Sequence, residues 1–205
     1  IFDAFEASSV ATGHRLLDDL NGPDAVGVGR LDSNKRNGRR CSASVGYLRP
    51  ALGRTNLTLR TGALTQRVIL QGAKAVGVEY RAGGQSHTAM ASREIILSGG
   101  AINTPQLLML SGIGPADELR QQGIRVALDQ PNVGGNLQDH LDMGMSYSCS
   151  EPISHAWMGS TLGKARVGTE WLLNRSGPGA SNIWEIGGFA KAMQDSGLPT
   201  VHYHV

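Results

Sequence analysis

EIILSGGAINTPQLLML, residues 94–110, changes its period half-way along. Its first five residues are a short apolar run without alternation, the pattern of a strand covered on both faces in a parallel sheet. After Gly99-Gly100 the spacing turns helical. Pro105 can take the first helical position with Asn103 or Thr104 as cap, and Leu107, Leu108 and Leu110 supply one apolar face. A strand that runs through two glycines into a helix is the unit of a layered α/β protein, so residues 95–97 are expected in a buried parallel sheet and the fold class is α/β.

Upstream, four short β-type runs precede this unit: NLTLR (56–60), TQRVIL (65–70), AVGVEYR (75–81) and HTAMAS (87–92). Thr61-Gly62, Gln71-Gly72 and Gly83-Gly84 separate them, which predicts an antiparallel β-meander. Further back, apolar residues at helical spacing from Phe2 to Leu17 predict a helix, and Asn21-Gly22-Pro23 a loop. Downstream, ADELRQQ (116–122) reads as a helix closed by Gly123, and IRVAL (124–128) as a strand. After the turn-rich VGGNLQDH (133–140), a strand is expected at 143–149 and a helix at 162–173, stopped by Ser176-Gly177-Pro178. Two last strands follow in WEIGGFA (184–190) and VHYHV (201–205). A domain change is placed near 140–145, dividing the chain into 1–142 and 143–205.

Composition narrows the function. Nineteen Lys+Arg against seventeen Asp+Glu leave a net charge of +2, too small a field to recruit nucleic acid or an anionic membrane. No apolar run reaches the roughly 18 residues a membrane span needs. The two cysteines, Cys41 and Cys149, have no CxxC spacing and read as small buried hydrophobes rather than a disulfide or zinc framework. RLDSNKRNGRRC (30–41) carries five basic residues, but no aromatic residues interleave with them, so it reads as a solvated loop rather than a phosphate or nucleic-acid patch. The 28 glycines imply many tight turns and close backbone approaches.

The common catalytic signatures are absent. Gly27-Val28-Gly29 lacks the rest of a GxGxxG, GSTLGKA (159–165) is one residue short of a Walker loop, and neither GxSxG nor HExxH occurs. His202 and His204 fall on one strand face, yet no third ligand follows at motif spacing, so no metal is expected. Asp139, His140 and Asp142, standing alone, read as a turn with a capped carboxylate, and Trp184 alone as a core residue. Gly99 and Gly100 serve either tight strand–helix packing or the close approach of a phosphate or ribose to a helix N-terminus.

SGGAINTPQLLMLSGIGP (98–115) closely resembles the second signature of the glucose–methanol–choline (GMC) family of flavin oxidoreductases. NGRRCSASVGYLRPA, NLTLRTGALTQRVI and NVGGNLQDHLD fall in that family's order around it, so the resemblance covers essentially the whole chain. LQDHLDM, GTEWLLNRSGPGASN and EIGGFAK make it most similar to the choline- and alcohol-dehydrogenase branch.

The resemblance implies an FAD-binding α/β domain portion with a β-meander over 1–142, and the start of a substrate domain built on an antiparallel sheet over 143–205. It implies FAD as cofactor, a small-molecule alcohol as substrate and an electron acceptor it does not name. For the cofactor it points to the main chain of Thr65 beside adenine and to Gly99 and Gly100. For the substrate it points to Asp142, where choline-oxidising members mostly have Glu, to Trp184 as an aromatic cage residue, and to His204 on the alcohol oxygen. The family's GxGxxG is expected upstream of Ile1 and its catalytic His downstream of Val205, so the chain is expected to be part of a longer protein with no catalytic residue of its own. An oxidase or a lyase of the same family, or a piece without catalysis, are the alternatives. The expected location is the cytoplasm or the inner face of a membrane, with peripheral association of the whole protein open.

Overall fold

The structure, a computed structural model, describes residues 1–193 and 197–205. Along the chain the elements are α1 (Phe2–Ala11), β1 (Leu16–Leu17), β2 (Gly27–Arg30), β3 (Lys35–Arg36), β4 (Arg39–Arg40) and the short α2 (Arg49–Ala51). Next come β5 (Leu64–Gln71), β6 (Lys74–Ala82), β7 (Gln85–Met90), α3 (Gly100–Leu110), β8 (Ile113–Gly114), α4 (Ala116–Gln121) and β9 (Leu128–Asp129). The last are α5 (Thr161–Asn174), β10 (Ile186–Ala190) and β11 (Val201–His204). They fall into two compact units, residues 1–57 with 145–205, and residues 58–144. Helices and sheets mix in both, an α/β protein.

The first unit is organised by a four-stranded sheet in the order β1-β2-β10-β11. β1 runs parallel to β2, while β10 is antiparallel to both β2 and β11. Val28 and Ile186 are fully buried at its centre, with Leu20 beside them. Gly29 is required where it stands, because a Cβ there would lie 2.5 Å from the Leu17 carbonyl oxygen. α1 stops at Ala11, earlier than the expected Leu17. Gly13 turns left-handed at φ +92° and releases Leu16 and Leu17 to pair with β2. α5 matches its expected span and starts at Ser160, whose hydroxyl accepts from Gly163 N–H at 3.0 Å.

The second unit contains the meander β5-β6-β7, all antiparallel, with tight turns at residues 72–73 and 83–84. α3 packs on β5, and one serine couples them. Ser111, the C-cap of α3, accepts from the Val68 N–H at 2.8 Å and donates to the Leu107 carbonyl at 2.6 Å. Val68 is buried, so its N–H on the unpaired edge of β5 has no water to turn to. Ser111→Ala therefore costs about 1–3 kcal/mol, the desolvation penalty of an orphaned donor. Urea unfolding of the full-length protein checks this, and a loss below about 0.5 kcal/mol contradicts it.

Several expected strands did not form. Residues 95–97 join no ladder, and Ile96 is 77% exposed. A parallel strand covered on both faces needs neighbours for its N–H and C=O groups, and no described strand lies beside this one. Asn56 lies in a turn closed by the Leu57 N–H on the Arg54 carbonyl at 3.2 Å, and residues 57–60 join no ladder. From IRVAL only Leu128 enters a ladder, in the two-residue parallel pair of β9 with β8. Residues 143–149 form no ladder, and Met143, Met145 and Tyr147 are exposed. Cys149 is exposed and Cys41 half-buried, so neither is the core hydrophobe expected.

Candidate functional site

In the second unit the strand-to-glycine-to-helix passage frames a cavity of about 530 Å³, within the range that small ligands and cofactor portions occupy. One wall is β5, through Leu64 and Thr65; the other is residues 95–99 with Asn103, Thr104 and Leu107 of α3. The ladder of β5 shifts register between Thr65 and Arg67, a bulge that bends the strand at the cavity wall.

Gly99 precedes α3 and its N–H donates to Thr104 Oγ1 at 2.9 Å. A Cβ on Gly99 would sit 3.1 Å from Asn103 Cβ and 3.2 Å from Thr104 N, a tight fit that a larger residue could take only if those neighbours gave by a few tenths of an ångström. Gly100 is left-handed at φ +84° with open space where a Cβ would be; conformation, not room, requires glycine there. No side chain caps α3, which leaves its first-turn N–H groups and the positive end of its dipole available.

The cavity brings Thr65 and Gly99 together and has Gly100 at its helical margin. Its lining is Leu, Ile and Val with the polar groups of Ser98, Asn103, Thr104 and Gln106, and no charged side chain. Apolar walls plus neutral donors and acceptors suit a flat heteroaromatic ring with a sugar, so these residues fit the adenosine portion of FAD. Asn103 and Thr104, expected to cap a helix beginning at Pro105, lie inside α3, which starts five residues earlier at Gly100 and holds Pro105 in its interior. Their position three to four residues into an uncapped helix after Gly-Gly is the signal that they border a ligand space.

In the first unit, Trp184 and His204 meet edge to face with ring centroids 4.6 Å apart. β10 and β11 bring this about, since Gly187 pairs with His204 in register and Trp184 lies just ahead of β10. His202 shares the strand face with His204, at 5.8 Å between centroids, and stacks on Phe189 at 4.4 Å. Tyr203 points the other way, its ring against Phe5, and burial pushes its phenol above the ordinary tyrosine value. Trp184 is half-exposed rather than a core residue.

Asp142 belongs to the other unit, in an exposed segment outside any helix or strand. Its carboxylate makes no hydrogen bond or ion pair among the described residues, unlike Asp139, which accepts from the His140 N–H at 2.8 Å. No group of three or more His, Cys, Asp or Glu among the described residues could hold a metal. No helix among them is long and apolar enough to cross a membrane.

A protein-family model described as GMC oxidoreductase matches residues 1–142, more than half of the chain. The chain belongs to the GMC oxidoreductase family. Among GMC relatives, human mitochondrial choline dehydrogenase is 46% identical over 201 residues, 98% of this chain and 34% of its own length. The oxygen-dependent choline dehydrogenase of Pectobacterium atrosepticum is 43% identical over the whole chain and 37% of its own length. The chain thus spans about a third of the curated GMC relatives it matches. Among solved structures, the formate oxidase of Aspergillus oryzae RIB40, described for modification of its FAD, superposes with a TM-score of 0.72 at 26% identity. That match covers 91% of this chain and 33% of the other. The signature at 98–115 that pointed to GMC lies inside the family match and builds one wall of the cavity.

Proposed function

We propose that the whole protein to which this chain belongs is an FAD-dependent oxidoreductase that oxidises the CH–OH group of a primary alcohol, choline-like or neutral aliphatic, to the aldehyde. The observation that carries this reading is the uncharged cavity between Thr65 and Gly99 in a chain of the GMC family. Residues 1–142 belong to the FAD-binding domain and 143–205 open the substrate domain. FAD, when bound, supplies the acceptor for the electron pair and hydrogen leaving the alcohol carbon.

This chain's residues bind and position. The main chain at Thr65 and the glycine step at Gly99 and Gly100 hold the adenosine end, where a larger side chain would close the approach. His204 donates to the alcohol oxygen, and the edge contact from Trp184 fixes the orientation of its ring. The Trp184 face and the uncommitted carboxylate of Asp142 are the groups on this chain that favour an ammonium-bearing substrate. The group that takes the hydroxyl proton is assigned to no residue between Ile1 and Val205.

The test is direct. Purified full-length protein is yellow, shows flavin absorbance, and bleaches when an alcohol substrate is added without air. A colourless preparation that FAD cannot reconstitute overturns the reading.

A further inference from the structure

The basic run at 35–40, unused by the function above, is folded into a defined device. β3 and β4 form a two-residue hairpin whose turn, Asn37 at φ 50° and Gly38 at φ 64°, is of the kind Asn-Gly favours. Its two cross-strand pairs are Lys35 with Arg40 and Arg36 with Arg39. Both set cation against cation, which weakens a ribbon that two strands alone barely hold.

The hairpin is nevertheless anchored. Trp171 Nε1 on α5 donates to the Gly38 carbonyl at 2.7 Å. Arg175, left-handed at φ 55° where α5 ends, lays its guanidinium 4.1 Å from the centre of the Trp171 ring. Any Cβ on Gly38 would collide with the Arg175 carbonyl, so the two backbones are in close contact.

Arg175 Nη1 is shut away from solvent with no acceptor among the described residues. The Trp171 face offsets part of the cost of burying that guanidinium. Arg36, Arg39, Arg40, Arg49 and Arg175 line one cavity of about 400 Å³, and no carboxylate of the described residues lines it. Among the described residues none of the five makes a salt bridge, and Asp32, in an adjoining cavity that shares Arg39 and Arg40, pairs with none of them.

We propose that this cavity is a binding site for a multiply charged oxyanion of the phosphate class, either inorganic phosphate or the phosphate ester of a small metabolite. Guanidinium groups match tetrahedral oxyanions bidentately, and a polyanion offsets the repulsion along the like-charged ladder. The size of the cavity and the engagement of Trp171 by Gly38 and Arg175 leave no stacking platform for a nucleic-acid strand.

Calorimetric titration of the FAD-loaded full-length protein at constant ionic strength tests this, with inorganic phosphate, pyrophosphate, glycerol phosphate and acetate as probes. Saturable binding of the phosphate-class ions is expected, pyrophosphate tighter than phosphate, with acetate and added chloride giving none. Glycerol phosphate binding tighter than inorganic phosphate identifies an ester as the ligand, and the reverse identifies the free ion. Arg36→Gln and Arg175→Gln each weaken binding about tenfold or more, Arg175→Lys weakens it although charge is kept, and Arg120→Gln leaves it unchanged. If Arg175 variants misfold, Arg36→Gln on the exposed hairpin decides alone. No saturable binding, or binding that Arg36→Gln leaves intact, overturns the proposal.

Discussion

Replacing Asp142 by Asn lowers the preference for choline over its neutral isostere 3,3-dimethylbutanol, measured as the ratio of the two kcat/KM values in the full-length enzyme. The expected loss is about 1–3 kcal/mol, the worth of a partly desolvated charge pair over an exposed one. That corresponds to roughly a 5- to 150-fold change in the ratio. The effect falls on the ratio because the neutral isostere has no cation for the carboxylate to meet. Asp142 is free to act in this way, since no arginine, lysine or backbone donor among the described residues engages it. An unchanged ratio removes Asp142 from charge recognition and leaves the neutral primary alcohols as substrates. Asp is one methylene shorter than the Glu usual at this position in choline-oxidising members, so the comparison also measures whether the shorter reach suffices.

Gly188→Val is expected to destabilise the four-stranded sheet by about 3 kcal/mol or more, the upper end of what overpacking costs. A Cβ on Gly188 runs into the Gly27 carbonyl and lies 2.6 Å from the Tyr203 hydroxyl and 2.7 Å from the ring carbon bearing it. Backbone cannot yield there without separating β10 from β2, and the Tyr203 ring cannot yield without leaving Phe5. His204, next to Tyr203 on β11, shifts with it and loses its edge contact with Trp184. Denaturant unfolding of the full-length protein reads the first effect and Trp184 fluorescence the second. Gly53→Ala, at a position with open space, is the matched control and is expected within about 0.5 kcal/mol of wild type. A Gly188→Val protein as stable as that control contradicts the assigned packing.

How much could be read in the residues depended on the range of the interactions involved. Three strands of the meander, α5 and the C-terminal half of α3 were legible because hydrophobic period, Gly-containing turns and helix stops act within a few residues; the start of α3 at Gly100, ahead of Pro105, was not. β2 was not. Gly27-Val28-Gly29 has little intrinsic strand preference and presented itself only as an incomplete dinucleotide motif; it is a strand because Leu16, Leu17 and Ile186 lie alongside. Residues 95–97 err in the opposite direction, with strand composition but no partner to complete a ladder. Of the candidate site, Thr65, Gly99 and Gly100 were reached through family resemblance, and the local Gly-Gly step agreed with it. Ser111 and Arg175 carry no local signature. Their roles exist only once β5 stands beside α3 and the Asn37-Gly38 turn beside Trp171.

The topology also sets an order of assembly. Every pairing in the meander joins strands that follow one another across two-residue turns, contacts that close quickly and cost little chain entropy. The sheet carrying Trp184 and His204 needs Arg30 to find Ile186, with the whole second unit in between. On a ribosome the meander can therefore be complete while β2 still waits, its Val28 uncovered, for a partner not yet synthesised. The pairing of β2 with β10 thus forms later than the meander, and for that interval β2 is open to mispairing, a hazard its short length and three-residue GVG run keep low.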